Sequence, residues 1–423
     1  MEHKCSAILL TATFPPRGGS GVQRVWYQAN AMVKAGFDLH VVTEGVTGTW
    51  VSDDGWSDES RGFAISRCAE RPSRILWLAS RVVSKLLRTP MYPDGHWQWI
   101  LAACRRCLQI VREFDARILI VSFGHPSALI VAAIVKRQNP AITLVVDVRD
   151  LWVGNPNAFS YVRNRGFLGW CDRRIERWAF EKADHVVGVS LGLIEELRDR
   201  YQWLNDDNVH VVQNGFDDSL FAESVETMPL KREGPNVTFR HVGFVGPSQN
   251  LDVFFRAICR LKTENAELLS NVRFEFIGGN PEYVRQLSSS IGVDDVVECT
   301  GYVQHREAVK LMSEADVLLL FWGLGKGTVG GKTYEYLRAN RFIMAFDQGN
   351  RDGRELLKET QRGEWVGADD LEGQLSMLRS IIVKLGDGVP LLAEPLVSVE
   401  KYSRESQNAR LMEVLSVAVR KDA

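Results

Sequence analysis

The sequence predicts an α/β protein of two doubly wound domains, each a parallel sheet covered by helices on both faces. Short β-rich apolar runs alternate with segments whose apolar residues recur every three or four positions, and this alternation occupies both halves of the chain. Such alternation is typical of a parallel sheet. Asn-Gly and Gly-Pro steps interrupt it at roughly residues 216–236, where we place the domain boundary.

Each strand and helix is predicted from the spacing of its apolar residues along the sequence. The strands expected in the first half are Ala7–Leu10, Leu39–Thr43, Ile118–Ser122, Thr143–Val148, His185–Val189 and Val209–Val212. The helices expected there are Val22–Ala35, Trp97–Phe114 and Trp170–Ala183. The strands expected in the second half are Thr238–Phe244, Arg273–Ile277, Val296–Thr300, Val317–Phe321 and Phe342–Phe346. The helices expected there are Leu251–Glu264, Glu282–Ile291, Glu307–Ala315 and Thr333–Asn340.

Composition narrows the class of protein. The 423 residues are 45% hydrophobic and 25% charged, which is the balance of a soluble globular protein of two or three domains. A formal net charge of -2 argues against a globally basic nucleic-acid binder, so we expect no nucleic-acid partner. Seven sparse cysteines, no long apolar span and no evident signal peptide lead us to expect a cytoplasmic protein.

Loops that follow strands are the candidate sites, because ligands of doubly wound sheets bind beyond the carboxyl ends of the strands. The loop Phe14–Arg24 contains three glycines, including Gly19, and opens a helix, which favours close approach of an anion. It matches neither dinucleotide nor P-loop spacing, and a tight turn without a ligand is the alternative. The loop Gly243–Asn250, with Gly246, also opens a helix but has no Arg or Lys.

Charged residues also leave the strand Thr143–Val148. Arg149 and Asp150 follow it directly, where they would face a cleft between the domains, and a surface ion pair of little consequence is the alternative. His125 follows another strand, and either contact with a substrate or an ordinary loop histidine fits its position.

The segment Lys326–Phe346 is the most informative. Its glycines, including Gly330 and Gly331, free the backbone, and Lys332 is expected just before the helix. Amide donors, helix dipole and ammonium group together make a diphosphate site. Glu335, expected in the first turn, would accept hydrogen bonds from a ribose diol, and simple stabilisation by the helix dipole is the alternative.

Metal-binding patterns are not evident. The sequence has no Asp-x-Asp triplet and no His-Glu-x-x-His motif, so we expect no metal and no cofactor. Cys104 and Cys107 lie on a helical pattern flanked by arginines, and we interpret them as packing residues in preference to a redox or zinc site.

These motifs together resemble the family 4 glycosyltransferases of the GT-B fold, over nearly the whole chain. The donor-helix motif Lys332–Leu337 is the most specific of them, and Arg149–Trp152 resembles a bacterial branch that builds surface polysaccharides. The other motifs that carry the resemblance are Phe14-Pro15-Pro16 with Gly18-Gly19, Pro93-Asp94 with Trp97, Ala183–Ser190, Val212–Asp217, and Tyr402-Ser403-Arg404 leading to Leu411–Val417.

The resemblance implies an acceptor-side domain at 1–220, a donor domain at 221–395, and a C-terminal helix at 396–423 that returns to the first domain. It implies retaining, metal-independent transfer of a hexosyl-type sugar from a nucleotide-diphosphate sugar to a glycan or lipid-linked acceptor. The implied catalytic residues are Arg149, Asp150 and Lys332. The implied donor contacts are Glu335 at the ribose, Gly330, Gly331, Thr333, Gly246 and Gly19 at the diphosphate, and Gly278, Tyr302 and Val303 at the nucleobase.

Two departures from the family pattern leave other functions open. A second glutamate is common eight positions before Glu335, where this chain has Gly327, and the loop at Gly246 lacks the usual cations. Lys332, Lys326 or Arg351 is a candidate substitute. A catalytically inactive binding protein of this fold is one alternative. A nucleotide-sugar epimerase is the other, with Asp150 and His125 as its acid/base candidates.

The neutral total charge hides a basic segment. Residues 61–112 hold ten Arg and Lys against Glu70 and Asp94, a local charge of +8 that leaves -10 for the rest of the chain. On a helix, Arg71–Arg88 would be basic and amphipathic, which favours contact with an anionic membrane surface and a peripheral location on the inner face of the cell membrane. A packed helix with a solvated basic rim is the alternative.

Overall fold

In a computed structural model, the described residues are 5–45, 62–68, 92–155, 166–225, 236–323 and 329–420. The chain divides into two compact units, Met1–Gln213 with Glu405–Ala423, and Asn214–Arg404. The boundaries between the units therefore lie between residues 213 and 214 and between residues 404 and 405. The sequence analysis placed them after residues 220 and 395. Hydrogen bonds give the reason, since Gln213 N donates to Gln407 Oε1 at 2.8 Å, whereas Arg404 N donates to Phe216 O at 2.7 Å.

The first unit contains a parallel seven-stranded sheet of order β3-β2-β1-β4-β5-β6-β7. Its strands are β1 (Ser6–Thr11), β2 (Asp38–Glu44), β3 (Ala64–Cys68), β4 (Ile118–Phe123), β5 (Thr143–Val148), β6 (His185–Gly188) and β7 (Val209–Val211). Its helices are α1 (Ser20–Lys34), α2 (Ile100–Phe114), α3 (Pro126–Gln138), α4 (Phe167–Phe180) and α5 (Leu191–Arg200), and a 3-10 turn covers Trp97–Trp99.

The second unit contains a parallel six-stranded sheet of order β10-β9-β8-β11-β12-β13. The strands are β8 (Val237–Val242), β9 (Val272–Ile277), β10 (Val297–Thr300), β11 (Val317–Phe321), β12 (Phe342–Asp347) and β13 (Gly363–Gly367). The helices are α6 (Asp218–Val225), α7 (Leu251–Glu264), α8 (Pro281–Ile291), α9 (His305–Glu314), α10 (Gly331–Arg338), α11 (Arg351–Thr360) and α12 (Leu371–Gly386). Short 3-10 turns cover Pro247–Gln249, Ala266–Leu269 and Glu400–Tyr402.

The predicted fold class, two doubly wound domains, is confirmed. Two strands, β3 and β13, were not predicted from the sequence. Both lie at the edge of a sheet and consist mostly of polar or partly exposed residues, so the apolar pattern that marks a strand is weak in them. Five helices were not predicted either: α3, α5, α6, α11 and α12. For α3 the reason is that most of its residues are buried, so it has no polar face to mark a helical period.

A final helix, α13 (Arg404–Arg420), packs into the core of the first unit. Leu411 and Leu415 are fully buried there in a cluster with Leu9 and Val41. The last helix therefore belongs to the first unit, although the segment before it lies in the second.

The predicted helix Arg71–Arg88 of the basic segment lies outside the described residues, as do Lys326 and Gly327. Among the described residues, no helix combines the length and apolar character needed to cross a lipid bilayer.

A buried ion pair ties the first helix of the first unit to the central strand β5. Arg24 Nη2 donates to Asp147 Oδ1 at 2.7 Å and Arg24 Nε donates to Asp147 Oδ2 at 3.0 Å, while Gln28 Nε2 donates to the same carboxylate at 2.9 Å. The guanidinium also donates to the carbonyls of Val212 and Gln213. One side chain thus joins α1, β5 and the end of the first unit.

We expect Asp147→Ala to lower the free energy of unfolding by about 3–5 kcal/mol, because it leaves the Arg24 guanidinium buried without its carboxylate. Chemical denaturation of the full chain measures this. The matched control is Glu181→Ala, since the Glu181–Arg177 pair is exposed, and we expect a loss of at most about 1 kcal/mol. Equal losses for the two variants would contradict the role given to Asp147.

Candidate active site

The candidate site of the second unit lies at its topological switch point. The sheet order reverses between β8 and β11, so the loops that leave these two strands run in opposite directions and open a crevice at the carboxyl edge. The loop after β11 leads into α10, and the loop after β8 begins at Gly243. The two segments selected from the sequence are therefore brought together by topology.

The start of α10 differs in detail from the prediction. Lys332 is the second residue of the helix, and Glu335 lies beyond its first turn. A Cβ added at Gly330 or Gly331 would meet no atom within 4 Å, so the backbone borders open space. Thr333 N donates to Gly330 O at 3.0 Å, which leaves the amides of Gly331 and Lys332 as the N-terminal donors suited to an anion.

Lys332 is held by a buried histidine. Its Nζ lies 3.2 Å from His241 Nε2, and His241 Nδ1 lies 2.9 Å from the carbonyl oxygen of Leu319. Because a carbonyl only accepts, Nδ1 carries the proton, and the lone pair of Nε2 accepts from the ammonium group. The sequence analysis did not identify His241. The available signal was the presence of a histidine within the apolar strand β8.

The electrostatics of this pair favour a neutral histidine and a charged lysine. Burial, and then the charge of Lys332, lower the pKa of His241 to about 3. Burial lowers the pKa of Lys332 to about 8, against the opposing effect of the Glu335 carboxylate. At neutral pH the His241–Lys332 pair therefore holds one partly desolvated cation.

Gly243 makes room for the lysine. Its φ is +122°, and a Cβ there would lie 2.6 Å from Cε and 2.7 Å from Nζ of Lys332. A Cβ at Gly278, where φ is +119°, would lie 2.9 Å from the carbonyl oxygen of Gly243. The ends of β8 and β9 and the start of α10 thus approach one another more closely than side chains would allow.

Glu335 is also held by a histidine. The carboxylate is buried, and its Oε1 lies 2.8 Å from Nε2 of His305, the first residue of α9. Burial by itself raises the pKa of Glu335, but the hydrogen bond with His305 and the positive charges of His305, Arg404 and Lys332 outweigh it, so the pKa is lowered. Glu335 is thus an ionised, oriented acceptor, and the sequence analysis missed His305.

Two exposed aromatic side chains lie near the residues predicted to contact a nucleobase. Phe244 is 60% exposed, and its ring lies 3.3 Å from where a Cβ of Gly279 would be. Tyr302, after β10, is 55% exposed, whereas Val303 packs against the core. Gly246 N donates to Gln249 Oε1 at 2.7 Å, so this amide is already occupied by a protein acceptor.

A second candidate site lies at the switch point of the first unit, between β1 and β4. Arg149 Nη1 donates to Gly21 O at 2.6 Å, and a Cβ at Gly21 or Gly124 would lie within 2.4 Å of the guanidinium nitrogens. The Arg149 guanidinium is thus enclosed by backbone, whereas Asp150 is exposed. Gly19 has a φ of +114° and borders open space.

Two histidines and a second arginine lie close together in the same unit. His96 Nδ1 lies 2.7 Å from Glu44 Oε2, and Arg17 contacts the same carboxylate at 3.3 Å. The rings of His96 and His125 are 4.3 Å apart. Burial, followed by the charges of His96, Arg149 and Arg17, lowers the pKa of His125 to about 3, so His125 is neutral at physiological pH.

Cys104 and Cys107 lie in the apolar core of the first unit. Burial raises the pKa of Cys104 to about 12 and that of Cys107 well above its usual range. They are therefore packing residues with little thiolate character.

Comparison with known proteins finds a family match within the first part of the chain. Residues 18–220 match the family model described as Glycosyltransferase Family 4. The matched residues lie mostly in the first unit. A D-inositol 3-phosphate glycosyltransferase of Stackebrandtia nassauensis is 29% identical over 132 residues, which cover 29% of this chain and 30% of that relative.

Solved structures extend the likeness beyond residues 18–220. The structure of Anabaena HepE in complex with UDP matches this chain with a TM-score of 0.64 at 14% identity. The alignment covers 98% of this chain and 100% of HepE. WaaG, a glycosyltransferase involved in lipopolysaccharide biosynthesis, has a TM-score of 0.60 at 13% identity and covers 99% of each chain. Both domains therefore have the fold of GT-B glycosyltransferases.

We expect Gly243→Ala to lower the free energy of unfolding by more than about 1 kcal/mol, because an alanine is strained at this φ and its Cβ overlaps Lys332. Thermal or chemical unfolding measures this. Gly386→Ala is the matched control, since a Cβ at Gly386 meets nothing within 4 Å, and its stability should be unchanged or slightly higher. A stable Gly243→Ala variant would show that the contact with Lys332 is not tight.

Proposed function

We propose that this protein is a retaining, metal-independent glycosyltransferase. It would move a hexosyl-type sugar from a nucleotide-diphosphate sugar to a glycan or lipid-linked acceptor in cell-surface polysaccharide biosynthesis. The observation that carries the proposal is the start of α10, where a cation and a carboxylate lie one helical turn apart and each is oriented by a histidine. The UDP bound to HepE and the biosynthetic role of WaaG support the donor class and the pathway class.

The donor maps onto the second unit. The amides of Gly331 and Lys332 and the Lys332 ammonium bind the diphosphate, and Glu335 accepts from the ribose hydroxyls. The nucleobase lies by Gly278, Tyr302 and Val303. Lys332 supplies the positive charge that the loop at Gly246 lacks, which answers the second departure from the family pattern.

The reaction is dissociative. The bond between the anomeric carbon and the diphosphate oxygen breaks first, and fixed donors stabilise the negative charge that develops on the leaving group. The acceptor hydroxyl then bonds to the anomeric carbon on the same face, and its proton passes to the departing phosphate oxygen. Arg149 and Asp150 contact the reacting sugar and the acceptor, Gly19 contacts the diphosphate, and a covalent glycosyl-enzyme is not part of the proposal.

The two alternatives predict different products. An epimerase needs a group near the sugar that exchanges protons at neutral pH, and the lowered pKa of His125 disfavours it as the acid. An inactive binding protein would bind donor without hydrolysing or transferring it. Isomerised free nucleotide sugar in the absence of acceptor would support the epimerase.

We expect Glu335→Ala and Lys332→Ala each to lower kcat/KM for the donor by at least about tenfold, since hydrogen bonds to charged groups contribute about 1.5–3 kcal/mol. Donor hydrolysis by the purified chain measures this, after screening uridine, guanosine and adenosine diphosphate sugars by thermal shift. Glu335→Ala should also abolish discrimination against dideoxyribose nucleotides. Lys310→Ala, on the exposed side of α9, is the control, and changes within twofold for both site variants would refute the assignment.

We expect affinity for the nucleoside diphosphate to change little from about pH 7 to 8, where the terminal phosphate is already ionised, and to fall above about pH 8. In the protein without a ligand, Lys332 has a pKa of about 8. Because the bound anion favours the protonated form of Lys332, each unit of pH above about 8 lowers the affinity by up to about tenfold. Isothermal titration across this range measures it. Lys332→Met should bind weakly with no such pH dependence, and an unchanged profile in that variant would assign the effect to another group.

A further inference from the structure

Two of the three exposed large aromatic side chains in the described part of the second unit lie at one edge of its sheet. The three are Phe244, Tyr302 and Trp365. Trp365 lies within the edge strand β13, whereas Phe244 follows β8 and Tyr302 follows β10. Because the sheet order is β10-β9-β8, only β9 separates the strands that these two residues follow. Exposed aromatic groups that gather at the carboxyl edge of a sheet indicate a ligand surface.

Backbone hydrogen bonds hold the ends of β8, β9 and β10 at the same level. Gly243 N donates to the carbonyl oxygen of Ile277 at 2.7 Å, and Gly278 N donates to that of Thr300 at 3.0 Å. The parallel ladder therefore continues up to the first residue of each loop. As a result, the two aromatic residues leave the sheet within two positions of a hydrogen-bonded residue, and the sheet itself sets the distance between them.

The ring of Phe244 lies between two glycines. A Cβ added at Gly246 would lie 3.1 Å from Cε1 of the ring, and a Cβ added at Gly279 would lie 3.3 Å from Cδ2. Cε1 and Cδ2 belong to opposite edges of the ring, so a larger residue at either position would displace it. Phe244 is nevertheless 60% exposed. The backbone thus positions the ring while most of its surface remains open to a ligand.

Backbone without side chains occupies the space between the two aromatic residues. Gly278 and Gly279 follow β9, and Gly279 is exposed. Neighbouring strands are about 4.8 Å apart, so β8 and β10 are about 10 Å apart across these glycines. A flat ring that touches a partner on each face needs about 7–8 Å between those partners, because carbon atoms in contact are about 3.5–4 Å apart. The spacing therefore suits one flat heteroaromatic group.

The loop that carries Phe244 brings a ring and no cation to the site, since Gly243–Asn250 contains no Arg or Lys. Such a loop suits the uncharged base of a nucleotide better than its phosphates. We propose that Phe244 stacks on the nucleobase of the donor, with Tyr302 on the other face of the base. The inference rests on the proposed donor site and adds to it a residue that acts on the base alone, because Lys332 binds the diphosphate and Glu335 binds the ribose.

The test is isothermal titration of the full chain with two ligands. One is whichever of uridine, guanosine and adenosine diphosphate binds the wild-type chain most tightly, and the other is ribose 5-diphosphate, which has no base. Phe244→Ala should lower affinity for the nucleoside diphosphate by at least about fivefold and change affinity for ribose 5-diphosphate by less than about twofold. Phe244→Tyr keeps the ring and should bind both ligands as the wild type does. Trp365→Ala removes an exposed aromatic side chain at the far end of the same sheet and should leave both affinities unchanged.

Several results would overturn the proposal. Equal losses for the two ligands in Phe244→Ala would mean that the ring only shapes the loop beside the diphosphate, and an equal loss in Trp365→Ala would mean a general effect on the unit. Unchanged binding of both ligands by Phe244→Ala would refute stacking alone, and the proposed function would stand if Lys332→Ala and Glu335→Ala still weaken binding. A wild-type chain that binds neither the nucleoside diphosphates nor ribose 5-diphosphate would refute the donor site itself, and the stacking with it.

Discussion

The contact between Arg24 and Asp147 is the constraint on which the first unit depends. Asp147 lies at the carboxyl end of β5 with no exposed surface, and a carboxylate can be buried there only because Arg24 and Gln28 supply three hydrogen bonds. Since the same guanidinium holds the carbonyls of Val212 and Gln213, the pair fixes α1, β5 and the exit of the chain together. Arg149 lies two residues beyond Asp147, so its position depends on this contact.

The second unit uses buried histidines for a similar purpose. A neutral His241 accepts from Lys332, and His305 holds Glu335, so a cation and an anion on one helix keep separate partners and do not collapse onto each other. This arrangement suits a nucleotide diphosphate, whose phosphates need positive charge and whose ribose needs an acceptor. In the proposed function, Lys332 takes the place of the cation that the loop at Gly246 lacks.

Much of the fold follows from sequence because the strands of parallel sheets are buried on both faces and form continuous apolar runs. Central strands such as β5 and β11 were predicted with their observed bounds. Edge strands β3 and β13 were not predicted, because one side of each has no neighbouring strand and their residues are more polar. The glycine loops and the motif at Lys332–Leu337 were likewise visible, because glycines and charged residues at strand ends stand out against apolar runs.

The sequence by itself determined the two-domain α/β class, the loops that carry the candidate sites, and the choice of Lys332 and Glu335. Only the tertiary structure decided what orients them, since His241 lies 91 positions from Lys332 and His305 lies 30 positions from Glu335. It also decided that Arg149 is enclosed between Gly21 and Gly124, whereas local sequence allowed a surface ion pair. The physical reason is that strand order, and not distance along the chain, determines which loops meet at the carboxyl edge of a parallel sheet.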